Sequence, residues 1–292
     1  MNVHKHSEAE FTEYQLPHNR REVFFDCLKL RYGVFVLTGL LLLLFILPFF
    51  AVKLYGEMIY ANMYEAYLNA VGEEASFDAL SQAKILKFYT SLAYIPCLAI
   101  FALGIAGAMR VIRQLVWGEG LFFLKDFGAG IKQNGAFSVL TFTLFGVIFA
   151  LNRFLLLMNT EYPVIQYIPT GLIVLFIIPI VMFVVSLTAV YNNKYSTTVK
   201  NAFLLYMKNI PQSLAFTAVL VATYLLDLLG LSILKTVVMA IAVVFVLPLF
   251  IEARFLFDCS VFDKYINKKS YPDYVDKGLF RLTDDRQPPD FK

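Results

Sequence analysis

Six stretches of the chain run without a charged residue for roughly the length that a helix needs to cross ~30 Å of hydrocarbon. They are 33–52, 88–109, 133–152, 168–191 within the longer uncharged run 162–193, 209–226 and 236–251. The last two are short and are separated by a turn holding Asp227 and Lys235. This pattern predicts an all-α fold: a polytopic membrane bundle of six transmembrane helices forming three consecutive hairpins. Between the runs lie segments of another character, in which large apolar residues alternate with Lys and Asn. Residues 123–134 and 198–209 align through Lys125 with Lys200 and Asn134 with Asn209, and the match continues to Ser138 with Ser213. Residues 23–32 are similar, with Phe24, Phe25, Leu28 and Leu30 beside Lys29 and Arg31. Each reads as a short amphipathic helix at the inner membrane surface.

Pro96, Pro179 and Pro248 each fall inside an even-numbered span, towards its exit, with a basic residue at a nearly constant distance beyond. Three matching kinks would suit a hairpin repeated three times, and kinked bundles can flex or can splay to hold something. Neighbouring helices can satisfy the carbonyl that each proline frees. Gly104, Gly107 and Ala108, with Ala102 and Ala106, give the second span a ridge of small residues suited to close helix packing inside the bundle.

Composition agrees with the pattern. The 292 residues are 59% hydrophobic and 16% charged, against about 25% charged for a soluble domain. The net charge of +3 does not favour nucleic acid as a partner. Twenty of the 25 Lys and Arg fall in segments that share a side with the N-terminus, so the positive-inside rule places both termini in the cytoplasm. The first outer loop carries Glu57, Glu65, Glu73, Glu74 and Asp78 instead. The first span is too long and too far from the start to be a cleaved signal peptide. Three regions result: a flexible cytoplasmic tail (1–22), a transmembrane domain (23–269) and a cytoplasmic C-terminal tail (270–292).

Candidate chemistry is sparse. An ionisable group inside a span would point to function, but Arg153, Asp227, Lys235 and Glu252 all stand at span ends, where interfacial anchoring accounts for them. Coupled carriers therefore lose weight, since they usually need a buried carboxylate. The three cysteines, Cys27, Cys97 and Cys259, are too widely spaced for a zinc site or a disulfide framework. Cys27 and Cys259 lie near the inner surface, open to acylation but suited to plain packing. His4 and His6 form an H-x-H pair in the tail without a partner ligand. No nucleotide-binding or hydrolase motif occurs, and Glu119 and Asp126 read as local counter-charges to Arg113 and Lys125. We expect neither catalytic residue nor cofactor nor metal. The 29 Phe and 17 Tyr suit an aromatic belt, or on the outer side a surface that stacks on sugar rings.

The motifs Trp117-Gly-Glu-Gly120, Phe122-Phe-Leu-Lys-Asp-Phe127, Lys132-Gln-Asn134, Lys200-Asn-Ala-Phe203 and Lys208-Asn-Ile-Pro211 resemble the YesL-like family of bacterial membrane proteins. The likeness takes in the six-span layout and both cytoplasmic loops, over about residues 20–265. It implies a bacterial plasma-membrane protein associated with carbohydrate ABC importers, with permease subunits or a sugar-binding protein as partners. Residues 199–210 also resemble the coupling helix of such permeases, without its characteristic opening, so the chain does not read as a permease itself. The expectation is a non-enzymatic accessory or assembly subunit, docking through Lys125, Lys132, Asn134, Lys200, Asn201, Lys208 and Asn209. The alternative is an autonomous transporter or channel with a path among helices kinked at Pro96, Pro179 and Pro248.

Overall fold

The computed structural model describes residues 17–69, 73–157, 163–222 and 232–279, and these are almost wholly helical, with no strand among them. Asn19 opens the first helix by accepting from the Glu22 amide, a side-chain cap, and helix α1 then runs from Arg20 to Leu68. Helix α2 (Glu73–Val116) returns beside it, and α3 (Phe123–Leu157) packs along α2. The fourth passage combines α4 (Pro163–Leu172), a π-helical turn (Ile173–Ile177) and α5 (Ile178–Val190). Then come α6 (Tyr195–Lys208), α7 (Ile210–Ala222), α8 (Ser232–Phe245) and α9 (Leu247–Phe262), the last packing with α8 against α1.

Four helical segments are long and apolar enough to cross a bilayer: Arg20–Leu68, Ser81–Val116, Phe123–Leu157 and Gln166–Val190. A fifth forms if Leu234–Phe245 and Leu247–Ser270, bent by 46° at their junction, are taken as one. Of the expected span 209–226 only Ile210–Ala222 is described as helix, shorter than a crossing; Asp227 and the rest of the turn to Lys235 begin outside the described residues. The acidic segment expected as an outer loop is helical on both arms. α1 has 49 residues, about 74 Å at 1.5 Å per residue, because the polar sequence beyond Val52 is still made of good helix formers.

The bundle is inside out by the standard of a soluble protein. On α1 the exposed residues Leu37, Leu40, Leu44 and Leu47 recur at helical spacing, while Thr38, Gly39 and Leu42 face inward. On α3 beyond Phe127 the buried positions are Gly130, Gly135, Ser138, Thr141, Gly146, Ala150 and Asn152, and Leu140, Leu144, Val147 and Leu151 point out. Small and polar residues at helix contacts with a large apolar exterior suit a helical bundle in lipid. At the centre, Ala102, Ala106 and Ala108 of α2 are wholly buried. A Cβ on Gly130 would meet the Ala106 carbonyl at 2.7 Å, so this ridge packs internally, as expected.

The three prolines are not equivalent. Pro96 lies exposed within the continuous helix α2, whereas Pro179 and Pro248 are buried and each is the second residue of a new helix. Pro179 cannot donate to the carbonyl four residues back, that of Leu175, and the Tyr206 hydroxyl donates to it instead. Pro248 frees the Val244 carbonyl, which is turned against α1 at Gly39, where any Cβ would come closer than 3.0 Å to it. The interfacial helices also differ. Residues 23–32 are set off from the span by a non-helical Arg31 (φ −129°), and 195–208 is a separate helix ended at Asn209 (φ −137°). Residues 123–134 instead continue unbroken into α3.

Candidate docking face

One end of the bundle gathers the start of α1, the end of α2, the α5–α6 junction and residues 271–279. Helix α2 ends in a Schellman turn. The Glu119 amide donates to Gln114 O (2.9 Å) and that of Gly118 to Leu115 O (3.1 Å), with Gly118 at φ +68°. This gives Trp117-Gly-Glu-Gly120 a structural meaning, because it turns Trp117 and Glu119 towards the C-terminal segment. Lys277 Nζ meets Glu119 Oε1 at 2.8 Å and sits 4.2 Å from the Trp117 ring centre. Gly278 (φ +85°) lies against the Val116 carbonyl, where a Cβ would not fit. Tyr271 and Tyr274 stack at 5.7 Å, and Tyr191 packs on Tyr271 at 5.0 Å.

Ion pairs lock the same region. Arg20 bridges Asp263 (2.9 Å) and the Lys277 carbonyl (2.9 Å). Asn267 donates to Asp263 Oδ1 (2.7 Å) and accepts from the Tyr191 hydroxyl. Glu119 and Asp126 act on Arg113 and Lys125 as local counter-charges, as expected, and each also makes a further contact. Glu119 takes Lys277, and Asp126 caps the Phe122 amide (2.8 Å) and faces Arg110 (3.7 Å). Arg113 donates to Ala189 O (2.7 Å), joining α2 to α5.

The residues expected to dock a partner sit on two helices beside this platform. Lys125, Lys132 and Lys200 are exposed, and so is Lys208, whose ammonium lies 4.5 Å from the Tyr265 ring centre. Asn134, Asn201 and Asn209 are half-buried; Asn209 turns its amide back onto Leu205 O (2.9 Å) as a helix end-cap. Exposed Phe122 and Leu124 accompany Lys125, and exposed Phe203 and Leu204 follow Lys200. Helix α6 is held from behind by buried Ala202, Leu205 and Tyr206. Its first residue reaches α3, with Tyr195 OH 3.1 Å from Thr141 Oγ1.

Of the charged residues that the sequence places at span ends, Arg153 is exposed, whereas Glu252 is interior. Glu252, on α9, is fully buried where α9 packs on α1 and α2, and the polar group that its carboxylate meets there is the Cys27 thiol. Cys27 in turn points its thiol at Leu115 O (3.7 Å). Two residues on, Arg254 forms an ion pair with Asp258 at 2.9 Å, and Asp258 also accepts from Ser186 (2.6 Å). The Arg254 guanidinium is enclosed by Phe183 (4.4 Å), Phe216 (5.3 Å) and Phe257 (5.3 Å). Interfacial anchoring does not describe Glu252, because packing of α9 between α1 and α2 leaves it no path to water. The signal was present in the phenylalanine-rich surroundings of Glu252, Arg254 and Asp258, with the last two at the i, i+4 spacing of a helical pair.

Among the described residues no group of three or more His, Cys, Asp and Glu is gathered as a metal would need; His4 and His6 lie outside them. No family model, curated protein or solved structure matches the chain. The YesL-like resemblance therefore rests on its short motifs.

Proposed function

We propose that the chain is a non-enzymatic integral membrane subunit that docks a partner complex through the face just described. What carries this reading is the pairing of exposed lysines with exposed large apolar side chains on α3 and α6, backed by a platform cross-linked from both ends of the chain. Exposed Lys200, Phe203 and Leu204 on a helix whose other face is buried form a surface fit for an acidic, partly apolar partner. The YesL-like resemblance supplies that partner's identity: a permease subunit or sugar-binding protein of a bacterial carbohydrate ABC importer.

In this reading the chain crosses the plasma membrane six times with both termini in the cytoplasm. The excess of Lys and Arg on the side of the chain ends supports the orientation. The sixth crossing is supported by the route of the chain: Lys235, at the start of α8, pairs with Glu57 on the far reach of α1. The segment leading to it starts at Ile210, directly after the docking helix.

Purification of the tagged protein from its native membrane in mild detergent, with quantified mass spectrometry of what accompanies it, tests the proposal. A stoichiometric importer subunit is expected, lost on charge reversal of Lys125, Lys132, Lys200 and Lys208 while the variant elutes like the wild type. Recovery of the protein alone, or binding indifferent to the four reversals, would overturn it.

A second reading, an autonomous transporter, draws on one observation. The bent α8–α9 passage carries buried carboxylates at Glu252 and Asp258, the kind of group a coupled carrier uses. It predicts solute flux in liposomes holding this chain alone, altered by replacing Pro179 or Pro248.

A further inference from the structure

Where the start of α1 packs beside α9, the two helices leave a groove of about 540 Å³ that opens to the outside. Arg21, Phe24 and Phe25 line it from α1, and Ala253, Phe257 and Ser260 from α9. The groove is the end of a longer track. Val246, Phe250, Ala253, Phe257 and Ser260 recur three or four residues apart, so they share one face of α9 and its cap, and none of them is buried. That face stays apolar as far as Ser260, and one turn further on it reaches exposed Lys264. The charged residues of the same stretch, Glu252, Arg254 and Asp258, are all turned inward. The apolar outer surface of the bundle therefore runs on past the uncharged run 236–251 and ends in the groove. From Phe250 to Ser260 the helix rises about 15 Å, the hydrocarbon depth of one leaflet.

Two arginines stand at the mouth in different states. Arg20 is engaged, with Asp263 at 2.9 Å and the Lys277 carbonyl at 2.9 Å. Arg21 is exposed and makes no ion pair or hydrogen bond with any described residue. Glu22 beside it turns back to accept from the His18 amide (2.7 Å) and the Asn19 side chain (2.6 Å). One free guanidinium thus sits over an apolar channel, next to a Phe25 ring that is 54% exposed. A guanidinium gives phosphate oxygens paired, charge-assisted hydrogen bonds, and the phenylalanines offer surface to a hydrocarbon chain. A soluble phosphate would leave the apolar track uncovered, and a zwitterionic headgroup brings its own cation to compete for the phosphate.

We propose that this groove seats one anionic phospholipid, its phosphodiester on Arg21 and an acyl chain along Phe257, Ala253 and Phe250. The site shares an end of the bundle with the docking face but uses none of its lysines, and it does not rest on that function.

The test titrates the full chain in a neutral maltoside detergent with dioleoylphosphatidylglycerol and, separately, with dioleoylphosphatidylcholine, and reads the first bound lipid by native mass spectrometry. Phosphatidylglycerol is expected to bind at least about fivefold more tightly than phosphatidylcholine. Arg21→Gln should weaken its binding at least about tenfold, the loss of a charge-assisted contact. Ala253→Leu, which fills the groove without changing charge, should weaken it several-fold. Lys200→Gln on the docking face should bind as the wild type does, which separates the groove from a general attraction to basic surface. An excess of sn-glycerol 3-phosphate should not displace the lipid. Should Arg21→Gln misfold, Ala253→Leu and the preference between the two lipids decide. Equal binding of the two lipids, binding unchanged in folded Arg21→Gln or in Ala253→Leu, an equal loss in Lys200→Gln, or displacement by the soluble phosphate would each overturn the proposal.

Discussion

The contact between Gly39 and the Val244 carbonyl allows a sharp prediction about how α8 and α9 join. Pro248 deprives that carbonyl of its helical donor, and the chain bends by 46° there. The carbonyl is accommodated because Gly39 has no side chain, so α1 and α8 approach backbone to backbone. In Gly39→Ala a new methyl would fall closer than 3.0 Å to a backbone oxygen, a separation that real Cβ atoms essentially never show. Backbone cannot rotate aside as a side chain can, so the two helices must move apart by about an ångström, at a cost of about 2–3 kcal/mol of overpacking strain. In Pro248→Ala the helix regains a donor for Val244 and the carbonyl can swing back towards its own axis. An interhelical polar contact in lipid is worth only about 0.6 kcal/mol, so Pro248→Ala alone should be mild. The double variant should recover at least about 1 kcal/mol of the Gly39→Ala loss, a coupling expected only between groups in contact. Equilibrium unfolding in mixed dodecylmaltoside and sodium dodecyl sulfate micelles, followed by the fluorescence of the sole tryptophan, Trp117, measures all four corners of the cycle. A Gly39→Ala loss under about 0.5 kcal/mol, or strict additivity with Pro248→Ala, would refute the argument.

Two further outcomes follow from the buried charges and the C-terminal lock. Asp258→Ala strands the Arg254 guanidinium among three phenylalanines and should cost about 3–5 kcal/mol in the same unfolding assay, while Arg254→Met/Asp258→Leu should cost much less, because the pair leaves together; equal losses would mean the pair is solvated. Gly278→Ala forces both a left-handed backbone conformation and a clash with the Val116 carbonyl. It should release residues 271–279, seen as a red-shifted Trp117 emission and new protease cleavage near Lys277, and an unshifted spectrum would contradict the packing.

Much of the fold was legible in one sequence because lipid imposes a simple rule: uncharged runs become helices, whatever their tertiary neighbours. Runs 33–52, 88–109 and 133–152 are helical throughout and 168–191 is helical as far as Val190, and the break at Arg31 and the separate helix Tyr195–Lys208 fell where the alternation of Lys with large apolar residues placed them. The likeness among Pro96, Pro179 and Pro248 was real in sequence but only partly so in structure. A proline's effect depends on what receives the freed carbonyl, which here comes from Tyr206 in one case and from the space at Gly39 in another. The charges were misread for a related reason. A residue at the edge of an apolar run looks interfacial if only depth is considered, and depth is all that a run of letters supplies. Direction around the helix axis needs the neighbours: α1 and α2 against Glu252, α5 and α7 against Arg254, and α1 beside α8 to turn Glu57 and Lys235 towards each other. The same physics therefore explains both outcomes. Lys125 and Lys200, on faces that no helix covers, are exposed as expected, while Glu252 and Asp258, equally polar and only a few residues past their span, are sealed in because α9 is surrounded.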